Sequence, residues 1–95
     1  MNYKLLVTRQ FEKDIKKLDK SIRERILKKI EELKTRPLSF KALHGILKGK
    51  YSLRIGDYRV IYVVDDKKKI VTIFCVDHRG RIYKRIELIK IQKYE

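Results

Sequence analysis

The sequence predicts an α+β fold formed by a single domain that spans residues 1–95. Two stretches in the first half carry apolar residues at helical spacing. Three stretches in the second half are rich in the β-branched and aromatic residues that favour strands. A chain of 95 residues is long enough for one modest hydrophobic core. With a short strand at the beginning of the chain, the predicted sheet has four strands and is mainly antiparallel.

The first half of the chain predicts one strand followed by two helices. Residues 3–8 (YKLLVT) are too short for a helix and rich in strand formers. Thr8 can then cap a helix with apolar positions four and seven residues apart, namely Phe11, Ile15 and Leu18. A second helix is predicted over residues 21–34, with Ser21 or the rival residue Asp19 as its N-cap.

Two segments carry weaker signals. Residues 38–49 contain two glycines and predict an irregular connector, in which Leu43, Ile46 and Leu47 pack under the sheet. The apolar residues after Tyr83 follow no clean period, so that segment predicts either a short helix or an added strand.

Three further strands are predicted over residues 51–55, 58–64 and 70–76. The first alternates apolar and polar residues, which is typical of a strand with one buried face. The other two are apolar at nearly every position. This pattern predicts that they form the middle of the sheet and are covered on much of both faces.

The first two of these strands predict a tight hairpin with Gly56 and Asp57 as its loop. In that register Ile55 faces Tyr58, Leu53 faces Val60, Tyr51 faces Tyr62, and Arg54 faces Arg59. Like charges directly opposite each other destabilise a sheet unless an anion bridges them. A phosphodiester suits two guanidiniums, because each can bind phosphate oxygens in a bidentate manner. The alternative is that both side chains splay into solvent.

The strand directions predict a cluster of polar side chains at one edge of the sheet. The end of strand 70–76 lies beside the start of strand 58–64, because the two are antiparallel neighbours. We therefore expect convergence of Arg54, Arg59, His78, Arg79, Arg81 and Tyr83. Such a cluster offers guanidiniums for phosphate, an imidazole that titrates near neutral pH, and a phenol that can stack on a base or donate a proton.

The composition limits the possible partners. A formal net charge of +14 favours a polyanion or an acidic protein. Cys75 is the only cysteine, so no disulfide framework and no zinc site are predicted, which fits a reducing cytoplasm. Neither a metal nor a cofactor is indicated, and no apolar stretch is long enough to span a membrane.

The element order, with YSLRIGDYRVIY at residues 51–62 and VDHRGRIY at residues 76–83, resembles the RelE/ParE superfamily of toxins from type II toxin–antitoxin pairs. The resemblance implies two N-terminal helices packed on the sheet and a cognate acidic antitoxin that wraps the toxin. RelE-type members are mRNA interferases that cut the codon in the ribosomal A site. In that reaction the 2′-hydroxyl of the RNA attacks the phosphate and leaves a 2′,3′-cyclic phosphate.

The resemblance also implies roles for individual residues. Arg59 would stabilise charge on the scissile phosphate, and Arg79 would act on the phosphate or the leaving group. Tyr83 would stack on the nucleobase. Arg54 would hold a flanking phosphate, with Arg81 as a second phosphate-binding residue.

One departure from the family pattern leaves the general base open. Some members carry two lysines on the first hairpin strand, where this chain has Lys50 and Ser52. Lys50 and His78 are therefore the two candidates. Two other functions also fit the sequence: a ParE-like toxin that binds DNA gyrase without cutting RNA, and a non-catalytic basic module that binds the ribosome or nucleic acid.

Overall fold

The computed structural model describes residues 2–91, which form three α-helices and one five-stranded sheet. The helices are α1 (Arg9–Lys16), α2 (Lys20–Ile30) and α3 (Ile82–Ile91). The strands are β1 (Lys4–Val7), β2 (Lys41–Ala42), β3 (Tyr51–Ile55), β4 (Tyr58–Asp65) and β5 (Ile70–His78), in the spatial order β1-β5-β4-β3-β2. The α+β class is confirmed. The two predicted N-terminal helices are present and a third helix follows β5, whereas the sheet has five strands instead of the predicted four.

The extra strand and the mixed topology come from pairings at the two edges of the sheet. β1 runs parallel to β5, from Lys4 beside Ile70 to Val7 beside Ile73. β2 has only two residues and lies inside the connector that was predicted to be irregular. It pairs with β3 at the edge of the sheet. A two-residue strand has too few positions to show an alternating pattern, so it leaves no signal in the sequence.

Both helix starts fall at residues that the sequence offered as N-caps, and for the second helix it is the rival residue Asp19. Thr8 caps α1 as predicted, because its Oγ1 accepts a hydrogen bond from the Phe11 backbone N–H at 3.1 Å. The same hydroxyl donates to the Phe74 carbonyl at 2.7 Å, which fixes the start of α1 against β5. Asp19 and not Ser21 occupies the N-cap of α2, and the Asp19 side chain makes no capping hydrogen bond. A 3₁₀ turn over Glu31–Lys34 follows α2.

The hairpin between β3 and β4 has the predicted register. Arg54 pairs with Arg59 and Tyr51 pairs with Tyr62. The Tyr51 and Tyr62 rings stack with centroids 5.4 Å apart. Gly56 adopts a φ of +59°, a backbone conformation that only glycine reaches without strain.

The sheet is covered on both faces, as the apolar strands predicted. Helices α1 and α2 pack over one face, which buries the side chains of Phe11, Ile26, Leu53, Val60, Tyr62 and Ile73. The other face packs against α3 and the connector, which buries Leu43, Leu47, Ile61, Cys75, Ile82 and Ile86. The segment after Tyr83 is therefore helical within the described residues, and residues 92–95 lie outside them. Ile46 was expected to be buried, but its side chain is 59% exposed.

Burial also affects two titratable groups in this core. Desolvation raises the pKa of the Cys75 thiol to about 12. It also raises the pKa of the Tyr62 phenol, whose hydroxyl donates a 2.6 Å hydrogen bond to the Pro37 carbonyl. Both groups therefore stay neutral, and they serve packing. None of the helices in residues 2–91 is long and apolar enough to cross a membrane.

Candidate functional site

A hollow of about 300 Å³ lies beside β3 and β4, and we call it the basic hollow. Its floor comes from the strand face opposite Leu53 and Ile55, the β3 residues that pack under α1 and α2. Four of its lining residues are cationic and two are aromatic. The lining residues are Lys29, Phe40, Lys41, Ser52, Arg54, Arg59 and Tyr83.

The two arginines that face each other across the hairpin are central to the basic hollow. The Arg54 guanidinium is exposed and forms no ion pair or hydrogen bond with the other described residues. Arg59 uses only its Nη1, which donates to the Gly56 carbonyl at 2.9 Å and to the Tyr58 carbonyl at 3.0 Å. Within the described chain no carboxylate neutralises either side chain. Their charges repel, so this arrangement is better suited to a bound anion than to fold stability.

Tyr83 reaches the basic hollow from the first turn of α3. Its hydroxyl lies 3.1 Å from the Ser52 Oγ, and either oxygen can donate the hydrogen bond. Ser52 is only 4% exposed, so the contact holds the phenol from the floor of the hollow. From the sequence, Ser52 stood out only because it occupies a position where some family members carry a lysine. The alternation of β3 was the available signal, because it places Ser52 on the same face as Arg54.

The six side chains that were predicted to converge lie at the same end of the sheet, but only three of them line the basic hollow. Arg54, Arg59 and Tyr83 line the basic hollow, whereas His78, Arg79 and Arg81 do not. His78 pairs with Tyr58, and its ring meets the Tyr58 ring edge-on at 5.8 Å. Tyr58 packs on the face of α1 and α2, so His78 lies on the opposite side of the sheet from Arg59.

Lys50 also lies outside the basic hollow, and Arg79 has partners elsewhere. Lys50 directly precedes β3 and is buried, and its carbonyl accepts a 2.9 Å hydrogen bond from the Leu43 N–H. The exposed Arg79 has its Nε 3.7 Å from Asp57 Oδ1, and its backbone N–H donates to the Asp57 carbonyl at 2.7 Å. Neither side chain meets Arg54 or Arg59 around this hollow.

Arg81 belongs to a different group, which we call the ion cluster and which consists of Asp14, Asp77, Arg81 and Arg85. Arg85 Nη2 donates to both Asp14 carboxylate oxygens at 2.7 Å, and its Nη1 donates to Asp77 Oδ2 at 3.0 Å. Arg81 donates to Asp77 Oδ1 through Nη2 at 2.9 Å and through Nε at 3.1 Å. The ion cluster lines a second cavity of about 530 Å³ and ties α3 to α1 and β5.

The pKa values in the ion cluster follow from these contacts. Burial disfavours the charged form of Arg85, but the hydrogen bonds to Asp14 outweigh it and the pKa of Arg85 is raised. Burial also works against ionisation of Asp77. Hydrogen bonds from the His78 backbone N–H, Arg81 and Arg85 outweigh that effect and lower the pKa of Asp77. Asp77 and Arg85 are therefore both charged at neutral pH.

The ion cluster was not predicted from the sequence, although α1 carries a charged residue on its apolar stripe. Asp14 stands between Phe11 and Ile15 on the apolar stripe of that helix, and it is only 6% exposed. A buried carboxylate requires a partner. The charged partner, Arg85, is 71 residues away, so no local pattern identifies it. Among the described residues, no group of three or more histidine, cysteine or acidic side chains could hold a metal ion.

Fold and site together define a small basic α+β domain with an arginine pair suited to a phosphate. The sequence matches the family described as the ParE toxin of type II toxin–antitoxin systems over residues 5–83. Because the match spans most of the chain, the protein belongs to the RelE/ParE superfamily of toxins.

Individual members of the superfamily are similar over nearly their whole length. Toxin RelG of Mycobacterium tuberculosis is 36% identical over 87 residues, which are 90% of this chain and 100% of that protein. Among solved structures, the toxin–antitoxin complex RelBE2 of M. tuberculosis matches with a TM-score of 0.78 and 33% identity over 83% of this chain and 100% of the matched chain. A mutant of E. coli toxin RelE in the free state matches with a TM-score of 0.78 and 26% identity over 98% of this chain and 100% of its own.

Proposed function

We propose that this toxin is an endoribonuclease that cuts mRNA in the ribosomal A site and thereby stops translation. The observation that carries the proposal is the arginine pair in the basic hollow, where Arg54 and Arg59 lie beside Tyr83 and have no carboxylate partner among residues 2–91. A phosphodiester supplies the negative charge that this pair lacks. A neighbouring nucleobase supplies a flat surface on which the tyrosine stacks.

In the proposed reaction the 2′-oxygen attacks the adjacent phosphorus while its proton leaves to a base. The bond from phosphorus to the 5′-oxygen breaks, and the 5′-oxygen takes up a proton. The products are a 2′,3′-cyclic phosphate and a 5′-hydroxyl. Arg59 stabilises the extra negative charge on the phosphate oxygens, and Arg54 holds a flanking phosphate. Tyr83 stacks on the base next to the broken bond.

The ribosome is part of the proposal because neither candidate general base lies in the basic hollow. Lys50 and His78, the two titratable candidates for the general base, do not line the basic hollow. We therefore assign most of the acceleration to charge stabilisation and to a substrate that is already aligned for in-line attack. A programmed ribosome can supply that alignment, because it holds the A-site codon in a fixed geometry.

The direct test is mapping of RNA 5′ ends after incubation with the toxin. One arm contains mRNA on ribosomes with an empty A site, and the other contains the same mRNA free in solution. We expect cuts inside the A-site codon in the first arm and intact RNA in the second. Equal cleavage in both arms would refute ribosome dependence, and no cleavage in either would refute the nuclease.

A second candidate function follows from the family match, since the matched family is that of the ParE toxin. Such a toxin would inhibit DNA gyrase by binding and would leave RNA intact. A supercoiling assay with purified gyrase distinguishes the two functions. Inhibition of supercoiling without RNA cleavage would favour this candidate.

We also propose that an acidic antitoxin is the physiological partner and covers the basic hollow. The solved relative RelBE2 of M. tuberculosis is a toxin–antitoxin complex, and the net charge of this chain is +14. Opposite charges accelerate diffusional encounter, and salt screens this effect. The association rate with the cognate antitoxin should therefore fall as ionic strength rises. A rate that is independent of salt would contradict an electrostatic encounter.

A further inference from the structure

A third cavity, a groove of about 680 Å³, lies between α2 and the hairpin turn, and we call it the outer groove. Arg25, Lys28 and Lys29 line it from α2, and Arg54 lines it from β3. The Arg25 guanidinium lies over the turn, since a Cβ placed at Gly56 would be 3.3 Å from Arg25 Nη2. The glycine thus leaves room for a cation directly beside the hairpin.

Among the described residues, the carboxylates of the outer groove are paired, whereas three of its cations are not. Its carboxylates already have partners: Glu32 binds Lys29 at 3.1 Å and Arg36 at 2.6 Å, and Glu31 binds Lys34 at 2.8 Å. The hydrogen bonds from Arg36 and Lys29 lower the pKa of Glu32. The remaining cations, Arg25, Lys28 and Arg54, form no ion pair with any described residue.

This arrangement costs the helix stability in the absence of a ligand. Arg25 stands three residues before Lys28 and four before Lys29, so the three side chains share one face. Like charges at these spacings destabilise a helix. An anion in the groove would offset that repulsion.

The outer groove and the basic hollow are adjacent and share Arg54 and Lys29 in their linings. A strand whose scissile phosphate lies at Arg59 and whose next phosphate lies at Arg54 has its continuation at the mouth of the outer groove. We propose that the outer groove binds the phosphate backbone of the RNA strand that flanks the cut, with Arg25 and Lys28 contacting phosphates beyond the one at Arg54. This inference rests on the proposed nuclease function.

The test compares R25Q/K28Q with the control K67Q/K68Q, which removes the same charge from the exposed turn between β4 and β5. All four substituted side chains are exposed, so both variants should melt like the wild type. Binding of all-2′-deoxy oligonucleotides, which cannot be cut by the proposed reaction, is measured by fluorescence anisotropy at several salt concentrations. One oligonucleotide has three nucleotides and the other has twelve.

R25Q/K28Q should bind the longer oligonucleotide about tenfold more weakly than the wild type does. The slope of log affinity against log salt concentration should shrink by about 1.4, the value for two lost phosphate contacts. K28Q alone, which leaves the hairpin turn untouched, should lose about half of that slope. The trinucleotide and the control variant should show little change. Equal losses in R25Q/K28Q and K67Q/K68Q would mean that only net charge matters, and would overturn the inference.

Two further measurements separate this inference from the proposed function. On programmed ribosomes, R25Q/K28Q should require more toxin for half-maximal cleavage while the saturating rate stays unchanged. If the wild type cuts but the variant is indistinguishable from it, the outer groove has no part in RNA binding and the nuclease stands. If RNA binding is unchanged but antitoxin binding weakens, an acidic protein segment occupies the groove and the inference is wrong. If the wild type cuts nothing, the proposed function fails.

Discussion

Two groups of arginines lie close together in this fold, and their partners differ. In the ion cluster, Arg81 and Arg85 are hydrogen-bonded to the carboxylates of Asp14 and Asp77. In the basic hollow, Arg59 has only carbonyl partners, although Asp77 is its direct neighbour across the strand pair. The oxygens of that aspartate are already hydrogen-bonded by the ion cluster.

The difference separates arginines that stabilise the fold from arginines that are free to bind a ligand. A buried carboxylate that loses its partner is strongly destabilising. A surface guanidinium without a carboxylate partner has little stability to lose and keeps its donors for an anion. The predictions below test that separation, from the largest expected effect to the smallest.

Removal of Arg85 should have the largest effect on stability. The Arg85→Ala variant leaves the buried Asp14 carboxylate without its bidentate partner, and we expect a loss of about 2–3 kcal/mol in unfolding free energy, below the range for fully buried pairs because Arg85 is partly exposed. Urea denaturation measures this loss. The matched control is Arg79→Ala, whose exposed pair with Asp57 should contribute less than about 0.5 kcal/mol. Similar losses in both variants would remove the distinction.

Truncation of Tyr83 should weaken substrate binding by ~1–3 kcal/mol, the range for one base stacked on an aromatic ring. The Tyr83→Ala variant should need more toxin for half-maximal cleavage on programmed ribosomes, and Tyr83→Phe should keep most of the affinity because it keeps the ring. If both variants lost the same amount, the hydroxyl would be the functional group and stacking would be wrong.

Ser52 should act through Tyr83. The Ser52→Ala variant loses the 3.1 Å contact to the phenol. It should need more toxin for half-maximal cleavage, by a factor that corresponds to about 0.5–1.5 kcal/mol, the typical net value of one hydrogen bond. In a Tyr83→Phe background the same substitution should change nothing further. Additive effects in this double-mutant cycle would show that Ser52 has a separate role.

Acid should weaken the ion cluster through Asp77. The pKa of its carboxylate is lower in the folded chain than in the unfolded chain, so its contribution is complete above the unfolded value near 4 and is lost as pH falls through the folded value. The stability difference between the wild type and Asp77→Asn should therefore be present at pH 7 and close at low pH. A difference that is constant from pH 7 to pH 2 would contradict this assignment.

The sequence predicted the elements whose signals are local. The register of β3 and β4 was correct because a two-residue loop with Gly56 fixes every pair in a hairpin. The Thr8 cap of α1 was correct for the same reason, since its bond spans three residues. The place of β1 beside β5 was missed, because a strand pattern does not name its partner.

The sequence did not show which of the predicted site residues share one hollow, because neighbours along a strand do not share a face. His78 follows Asp77 directly, and for that reason the two lie on opposite sides of β5. Arg81 was assigned to phosphate, but its Nε and Nη2 donate to Asp77, four residues earlier in the chain. The charged residue in the apolar stripe of α1, Asp14, was the one available indication of an ion cluster.

The central claim is that the arginines without carboxylate partners act on the phosphate. The most direct test is single-turnover cleavage on programmed ribosomes by Arg59→Ala and Arg81→Ala, with thermal melting of the same samples. Arg59→Ala should melt within about 0.5 kcal/mol of the wild type, because the repulsion from Arg54 is relieved, and should cut roughly 10²–10³-fold more slowly. Arg81→Ala should cut within about threefold of the wild-type rate, because its charge is already neutralised by Asp77. Wild-type cleavage by Arg59→Ala, or an equal loss in both variants, would contradict the account.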